Sequence, residues 1–206
     1  MPLLNEPEVL LWNSNKRYLE EFHNLGAAIV PTIYCDCFSK EALENSLRYF
    51  EVDTVVIKPT VSATAYKTSL WRKGGEIDAP PEGGCLFQPY LSSISSYGEL
   101  SLIFFDGQFS HALRKLPAKN DFRVQPEFGG SLFPYKPQES AFAAAKKIQD
   151  VISGVPLYAR IDLIKDNNGE WLLIEAELIE PDLFLQFDER DGELLAKAIL
   201  KRIMNS

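Results

Sequence analysis

Tyr158-Ala159-Arg160-Ile161-Asp162-Leu163-Ile164, the polar stretch Asp166-Asn167-Asn168-Gly169 and Trp171-Leu172-Leu173-Ile174-Glu175-Ala176-Glu177 lie in succession near the C-terminus of this 206-residue chain. Both apolar runs have the composition of strands, and the Asn and Gly between them tolerate the positive φ of a tight hairpin. Alternation along a strand sends Glu175 and Glu177 to one face, and folding back at 166–169 brings Asp162 within their reach. Three converging carboxylates repel one another unless a cation lies among them, and hard oxygen donors favour Mg²⁺ or Ca²⁺ over softer metals. The plainer alternative is a hairpin with one wet face. Arg160, two residues ahead of the acid, tilts the reading toward chemistry.

In this pattern the chain resembles the ATP-grasp superfamily, in the form seen in D-alanine:D-alanine ligase and glutathione synthetase. The resemblance implies an α+β fold in which two α/β lobes, each with an antiparallel sheet, grip a nucleotide between them. It implies that Asp162, Glu175 and Glu177 hold Mg²⁺ (or Mn²⁺) on the phosphates of ATP, and that Arg160 stabilises an acyl-phosphate. Glu177 stands where the family usually has Asn and is still an oxygen ligand. The run Glu177-Leu178-Ile179-Glu180-Pro181-Asp182-Leu183-Phe184-Leu185 is similar to that of small ATP-grasp proteins of cycloserine biosynthesis, with Asp182 in place of the usual Ser.

Other segments follow in family order. Val55-Val56-Ile57-Lys58-Pro59 reads as a strand ending in a lysine, which the resemblance places on the phosphates; a solvated strand end is the alternative. Val61 to Thr68, with Ser62 and Thr64, corresponds to the phosphate-covering loop, where small side chains let backbone N–H groups approach phosphate. Gly83 to Leu91 resembles the hinge between lobes, with Gln88, Pro89, Tyr90 and Leu91 against the adenine edge. Tyr97 to Leu113 reads as two strands around Asp106-Gly107. Glu99 takes the family's acidic position there, while Ser101 replaces an arginine that grips substrate. Lys115, Arg123, Gly129 and Gly130 are implied over the triphosphate and acceptor, where cations offset charge spread over the transferred oxygens. Asn13 or Ser14 caps a helix bearing Lys16, which the resemblance also brings to ATP.

A net charge of −8 argues against nonspecific nucleic-acid or anionic-membrane binding, and no apolar stretch approaches the roughly 20 residues of a membrane span. The three cysteines lack a recognised zinc or redox spacing and suggest a reducing cytoplasm, and the acidic, proline-broken Met1 to Glu6 predicts no leader. The organisation expected is a leading segment and helix over 1–25, a small lobe over 26–90 and a large lobe over 91–206. The elements predicted are strands at 27–31, 52–58 and 86–88, helices at 39–49, 139–153 and 192–204, and a long connection at 116–138. Relatives of this kind carry a further domain in front, which leaves three alternatives: a partner chain supplies it, the sequence is a fragment, or the protein works without it. A homodimer or such a partner chain is the association the resemblance allows. The function implied is an ATP-dependent ligase that joins a small carboxylate to an amine-type acceptor through an acyl-phosphate. The alternative is an ATP-binding module or subunit of a split ligase without catalysis of its own.

Overall fold

A computed structural model describes residues 5–77 and 79–204. The opening residues read above for a leader fall partly outside them. Two helices lead, α1 (Pro7–Asn13) and α2 (Tyr18–Asn24). The small lobe holds β1 (Ile33–Cys35), α3 (Lys40–Phe50), β2 (Thr54–Pro59), β3 (Ser69–Arg72) and β4 (Cys85–Pro89), its antiparallel sheet ordered β1-β4-β2-β3. The large lobe follows with the short helix α4 (Ser93–Ser96), β5 (Glu99–Phe105), β6 (Gln108–Leu116), β7 (Ser131–Pro134), α5 (Glu139–Val151), β8 (Tyr158–Lys165), β9 (Trp171–Glu177) and α6 (Glu193–Met204). Its antiparallel sheet runs β7-β6-β5-β8-β9. This is the α+β, two-sheet architecture expected.

Local chemistry explains most of these elements. Ser39 caps α3 by accepting the Ala42 N–H, and Leu43 and Leu47 pack its apolar stripe on Val55, Ile57 and Phe87. The β8–β9 hairpin closes as read: the Asp166 carboxylate accepts the backbone N–H groups of Asn168 and Glu170, and Gly169 has φ +88°. Asp106 and Gly107, with φ +47° and +75°, turn β5 into β6.

The central strand β5 is buried along its whole length, and its two faces do different things. Leu100, Leu102 and Phe104 join Ala141, Ala145 and Ile148 of α5 in the main core. On the opposite face Ile103 and Phe105 pack under Ala198 of α6, while Glu99 and Ser101 continue toward the other lobe. That second face is therefore apolar at one end and charged at the other.

Three expectations need correction. Residues 27–31 form no strand; Ala28 and Val30 only bridge Leu173, and β1 lies further on. The first helix does not begin at Asn13 or Ser14: Pro7 already starts α1, Asn13 ends it, and Tyr18 opens α2. The connection 116–138 contains β7, whose four residues extend the sheet beyond β6.

Candidate active site

Between the two sheets lies a cavity of about 530 Å³. Its lining brings together Lys16, Lys58, Ser62, Thr64, Gln88, Pro89, Tyr90, Leu91, Glu99, Lys115, Arg123, Arg160, Asp162, Glu175 and Glu177. Of the residues singled out in the sequence, Gly129 and Gly130 are not among the lining. Gly130 is instead pressed against its own loop, where an added Cβ would lie 2.0 Å from the Val124 carbonyl oxygen.

One end of the cavity is apolar. Val30, Ile94, Val124, Ile164 and Ile174 line it between the lobes, with Tyr90, Leu91 and Phe122 packed beside them. Ile174 reaches this wall because of an irregularity in the β8–β9 ladder. Asp162 pairs with Glu175 but Leu163 pairs with Leu173, so Ile174 is the extra residue of a bulge. Simple alternation would send Ile174 and Glu175 to opposite faces; here both line the cavity. On the small lobe Gln88 is held by donating to Thr32 Oγ1 at 3.0 Å.

The other end is charged, and its ions are matched in pairs. Lys16 lies 3.2 Å from Glu175 and also donates to Ser62, tying the 61–68 loop to β9. Arg160 meets Glu177 and makes a fork on Asp162, with Nη2 at 3.0 Å from Oδ2 and Nε at 3.1 Å from Oδ1. Lys115 pairs with Glu99, directly opposite it in the sheet, and with Asp162 at 3.3 Å. Ser101, fully buried, donates to Asp162 as well. Arg123, at the cavity wall, is engaged bidentately by Asp121 and stacks on Phe128 at 3.6 Å. Lys58 is different: its ammonium makes no hydrogen bond or ion pair among the described residues, while its backbone pairs with Leu86 in the sheet.

These partners set the protonation of each group. Burial opposes charge on Asp162, but Arg160 and Lys115 more than offset it and hold the carboxyl well below the usual range. Burial pushes Glu177 up to about 8, and Asp162 and Glu175 reinforce the rise against the opposing pull of Arg160. Burial lowers Lys58, with Lys16 adding to the effect and Glu175 opposing it. The carboxylates expected to share a metal are therefore of two kinds. Asp162 has both oxygens engaged by cations and a hydroxyl, whereas Glu175 and Glu177 each have one cationic partner and border the cavity. Among the described residues no group of three or more His, Cys, Asp or Glu is arranged to hold a metal ion.

An apolar slot that opens onto paired cations and carboxylates is the chemistry of a ligand with a flat ring at one end and a polyanion with its counter-ion at the other. The two-sheet fold that frames this cavity is the fold of solved ATP-grasp ligases. No family model matches the chain. It is 27% identical to the cycloserine biosynthesis protein DcsG of Streptomyces lavendulae, over 98% of this chain and 73% of that protein. The crystal structure of D-cycloserine synthetase DcsG superposes with a TM-score of 0.85 at 24% identity, covering 98% of this chain and 74% of that one. D-alanyl-alanine synthetase A of Vibrio cholerae gives 0.74 at 13% identity, over 98% and 68% of the two chains. The ATP-grasp ligase PsnB, complexed with a phosphomimetic variant of a minimal precursor, Mg and ADP, gives 0.71 at 16%, over 96% and 61%.

Asn13 and Tyr18, both on the lining, were not read from the sequence as site residues. Each is buried against β9 by contacts more than 150 residues away in the chain, which no local pattern announces.

Proposed function

We propose that this chain is an ATP-dependent ligase that activates a carboxylate as an acyl-phosphate on Mg·ATP for attack by an amine-type nucleophile. The observation that carries the reading is the inter-lobe cavity, apolar at the adenine end and lined at the other by Lys16, Lys58, Arg160, Glu175 and Glu177. The residues fit a divalent cation: their donors are hard carboxylate oxygens, and burial together with the neighbouring Asp162 and Glu175 disfavours the charged form of Glu177, which a cation would offset. Glu175 and Glu177 would hold it, and when bound it would offset charge on the transferred phosphoryl group.

The chain's own residues divide the remaining work. Tyr90, Leu91, Ile164 and Ile174 sandwich the base, and the dry walls exclude water from it. Lys58, free of any carboxylate, meets the phosphates first. With a cation held by Glu175 and Glu177, their partners Lys16 and Arg160 would be free to meet phosphate and the carboxylate oxygen. Asp162 keeps Lys115 and Arg160 in place beneath them. Because Lys16, which the phosphates need, is paired with Glu175, a carboxylate the metal needs, nucleotide and metal bind together far better than either alone.

The direct test combines thermal shift and ADP release. Mg·ATP raises the unfolding temperature well beyond ATP or Mg²⁺ alone, and ADP is released when an amino-acid or peptide carboxylate and an amine are supplied. Stabilisation without substrate-dependent ADP release across the panel would leave a nucleotide-binding module; no stabilisation would end both readings.

Lys58→Met is expected to weaken Mg·ATP binding by about tenfold or more, the loss of a charge-assisted phosphate contact, with little change in unfolding temperature. Unchanged affinity in calorimetry would remove Lys58 from the site. Binding also responds to pH through Glu177. With its pKa raised to about 8, Glu177 is protonated below that pH in the free protein and must ionise to hold a cation. Mg·ATP binding therefore tightens as pH rises toward 8 and releases protons at neutral pH, read as a dependence of the calorimetric heat on buffer ionisation. For the free protein the sign is opposite. The folded state holds this proton above the normal carboxylate pKa, so Glu177 lowers stability as pH rises from about 4.5 to 8. Glu177→Gln abolishes both effects.

A further inference from the structure

The strand β9, which carries Glu175 and Glu177, is an edge strand, and its outward backbone groups need partners. Leu173 finds them in the segment after α2, donating to Ala28 O and accepting from Val30 N. Beyond the bulge no backbone among the described residues takes over; side chains do. Ala176 N–H donates to Tyr18 Oη, and Ala176 O accepts from Asn13 Nδ2 at 2.8 Å. Asn13 Oδ1 accepts the Leu178 N–H at 2.9 Å, and Leu178 O accepts from Asn5 Nδ2 at 2.7 Å. The Asn13 carboxamide thus bonds the backbone on both sides of Glu177, as a neighbouring strand would.

We infer that Asn13 is a positioning residue for Glu177, and through Glu177 for the guanidinium of Arg160; this rests on the Mg·ATP reading above. Several observations support it. Asn13 is 7% exposed and lines the cavity, so its amide is satisfied by β9 and not by solvent. As the last residue of α1, it is held by the helix and not by the strand it serves. Its two bonds fix the backbone of Ala176 to Leu178, the short stretch on which Glu177 can swing toward or away from Arg160. Freed of them, Glu177 spreads over several positions, and a cation bound by Glu175 and Glu177 loses a preorganised ligand.

Asn5 supplies a matched control. It is 2% exposed and makes the same kind of contacts, to Leu178 O, Tyr158 O and the Leu157 N–H, but it does not line the cavity. Asn13→Ala and Asn5→Ala both lower the unfolding temperature. Only Asn13→Ala raises, by about tenfold or more, the Mg²⁺ concentration that half-saturates ATP binding, read by calorimetry with no turnover required. Asn13→Ser, which retains a hydroxyl, gives a smaller shift in the same direction and serves if the alanine variant does not fold. A Mg²⁺ midpoint equal to wild type in a folded Asn13 variant overturns the inference and leaves Asn13 a brace. An equal shift in Asn5→Ala overturns it too, because the effect would then follow stability. Failure of the wild-type chain to bind Mg·ATP would instead remove the functional reading underneath.

Discussion

Arg160→Lys reduces substrate-dependent ADP release by about 10²- to 10³-fold while Mg·ATP affinity stays within about threefold of wild type. The argument starts from geometry. The guanidinium is clamped by Asp162 through Nε and Nη2, reaches the Asp182 carbonyl through Nη1 at 3.2 Å, and lies 5.5 Å from the Phe184 ring. A planar fork held on several sides presents its donors to a developing oxyanion with little reorganisation. Lysine keeps the positive charge, so Asp162 and Glu177 are not left unpaired and the fold survives. It cannot span the same partners and offer a fixed donor at once. The loss therefore falls on the transition state and not on the bound nucleotide, whose phosphates have Lys58 and Lys16. Single-turnover ADP release and equilibrium nucleotide binding separate the two. A parallel fall in affinity would make Arg160 a nucleotide ligand instead.

The sequence made the acid hairpin readable because its signals are local: Asn and Gly at the turn, apolar runs on either side, and acids spaced by two. Lys58 at the end of a β-branched run and the Asp106-Gly107 turn were readable for the same reason. Alternation, however, assumes an unbroken ladder, and the bulge at Ile174 breaks it. Nothing in Leu172-Leu173-Ile174-Glu175 marks the position, since the bulge arises from pairing with β8. The arrangement of the charges was equally hidden. Periodicity could place Asp162, Glu175 and Glu177 on one face, but not show that Lys115 and Ser101 approach Asp162 from β6 and β5. A resemblance to Gly-Gly turns over a triphosphate carried Gly129 and Gly130 into the expected site. In the fold Gly130 answers a steric need within its own loop, with Val124 O too close for any Cβ. Asn13 looked like a helix cap because Asn is a favoured cap, and the competing demand of an unpaired strand edge can be seen only in three dimensions.

Asp162→Asn destabilises the ligand-free protein by about 3–5 kcal/mol, or roughly 10 °C in unfolding temperature, whereas Glu175→Gln costs little stability. The difference follows from what each carboxylate faces. Asp162 is 2% exposed and receives Arg160, Lys115 and Ser101; neutralising it leaves two buried cations to share Glu99 and Glu177. Removing one partner from a buried ionic cluster is costly because the remaining charge is desolvated and uncompensated. Glu175 has a single cationic partner, Lys16, and stands beside open cavity. The pH dependence carries the same signature. The Asp162 carboxyl is held below its unfolded value, so its contribution is fully present above about pH 4 and is lost as pH falls through the folded pKa. Wild type should therefore lose stability on acidification more steeply than Asp162→Asn. Ligand binding reverses the ranking of the two sites: Glu175→Gln loses the Mg²⁺-dependent part of ATP stabilisation, while Asp162→Asn, where folded, retains a measurable share of it. Urea unfolding across pH 3 to 8 and Mg²⁺ titrations of ATP binding decide the matter. Should Asp162→Asn unfold like wild type yet lose all response to Mg²⁺, Asp162 would be a metal ligand first, and the ion pairs around it would be only its resting state.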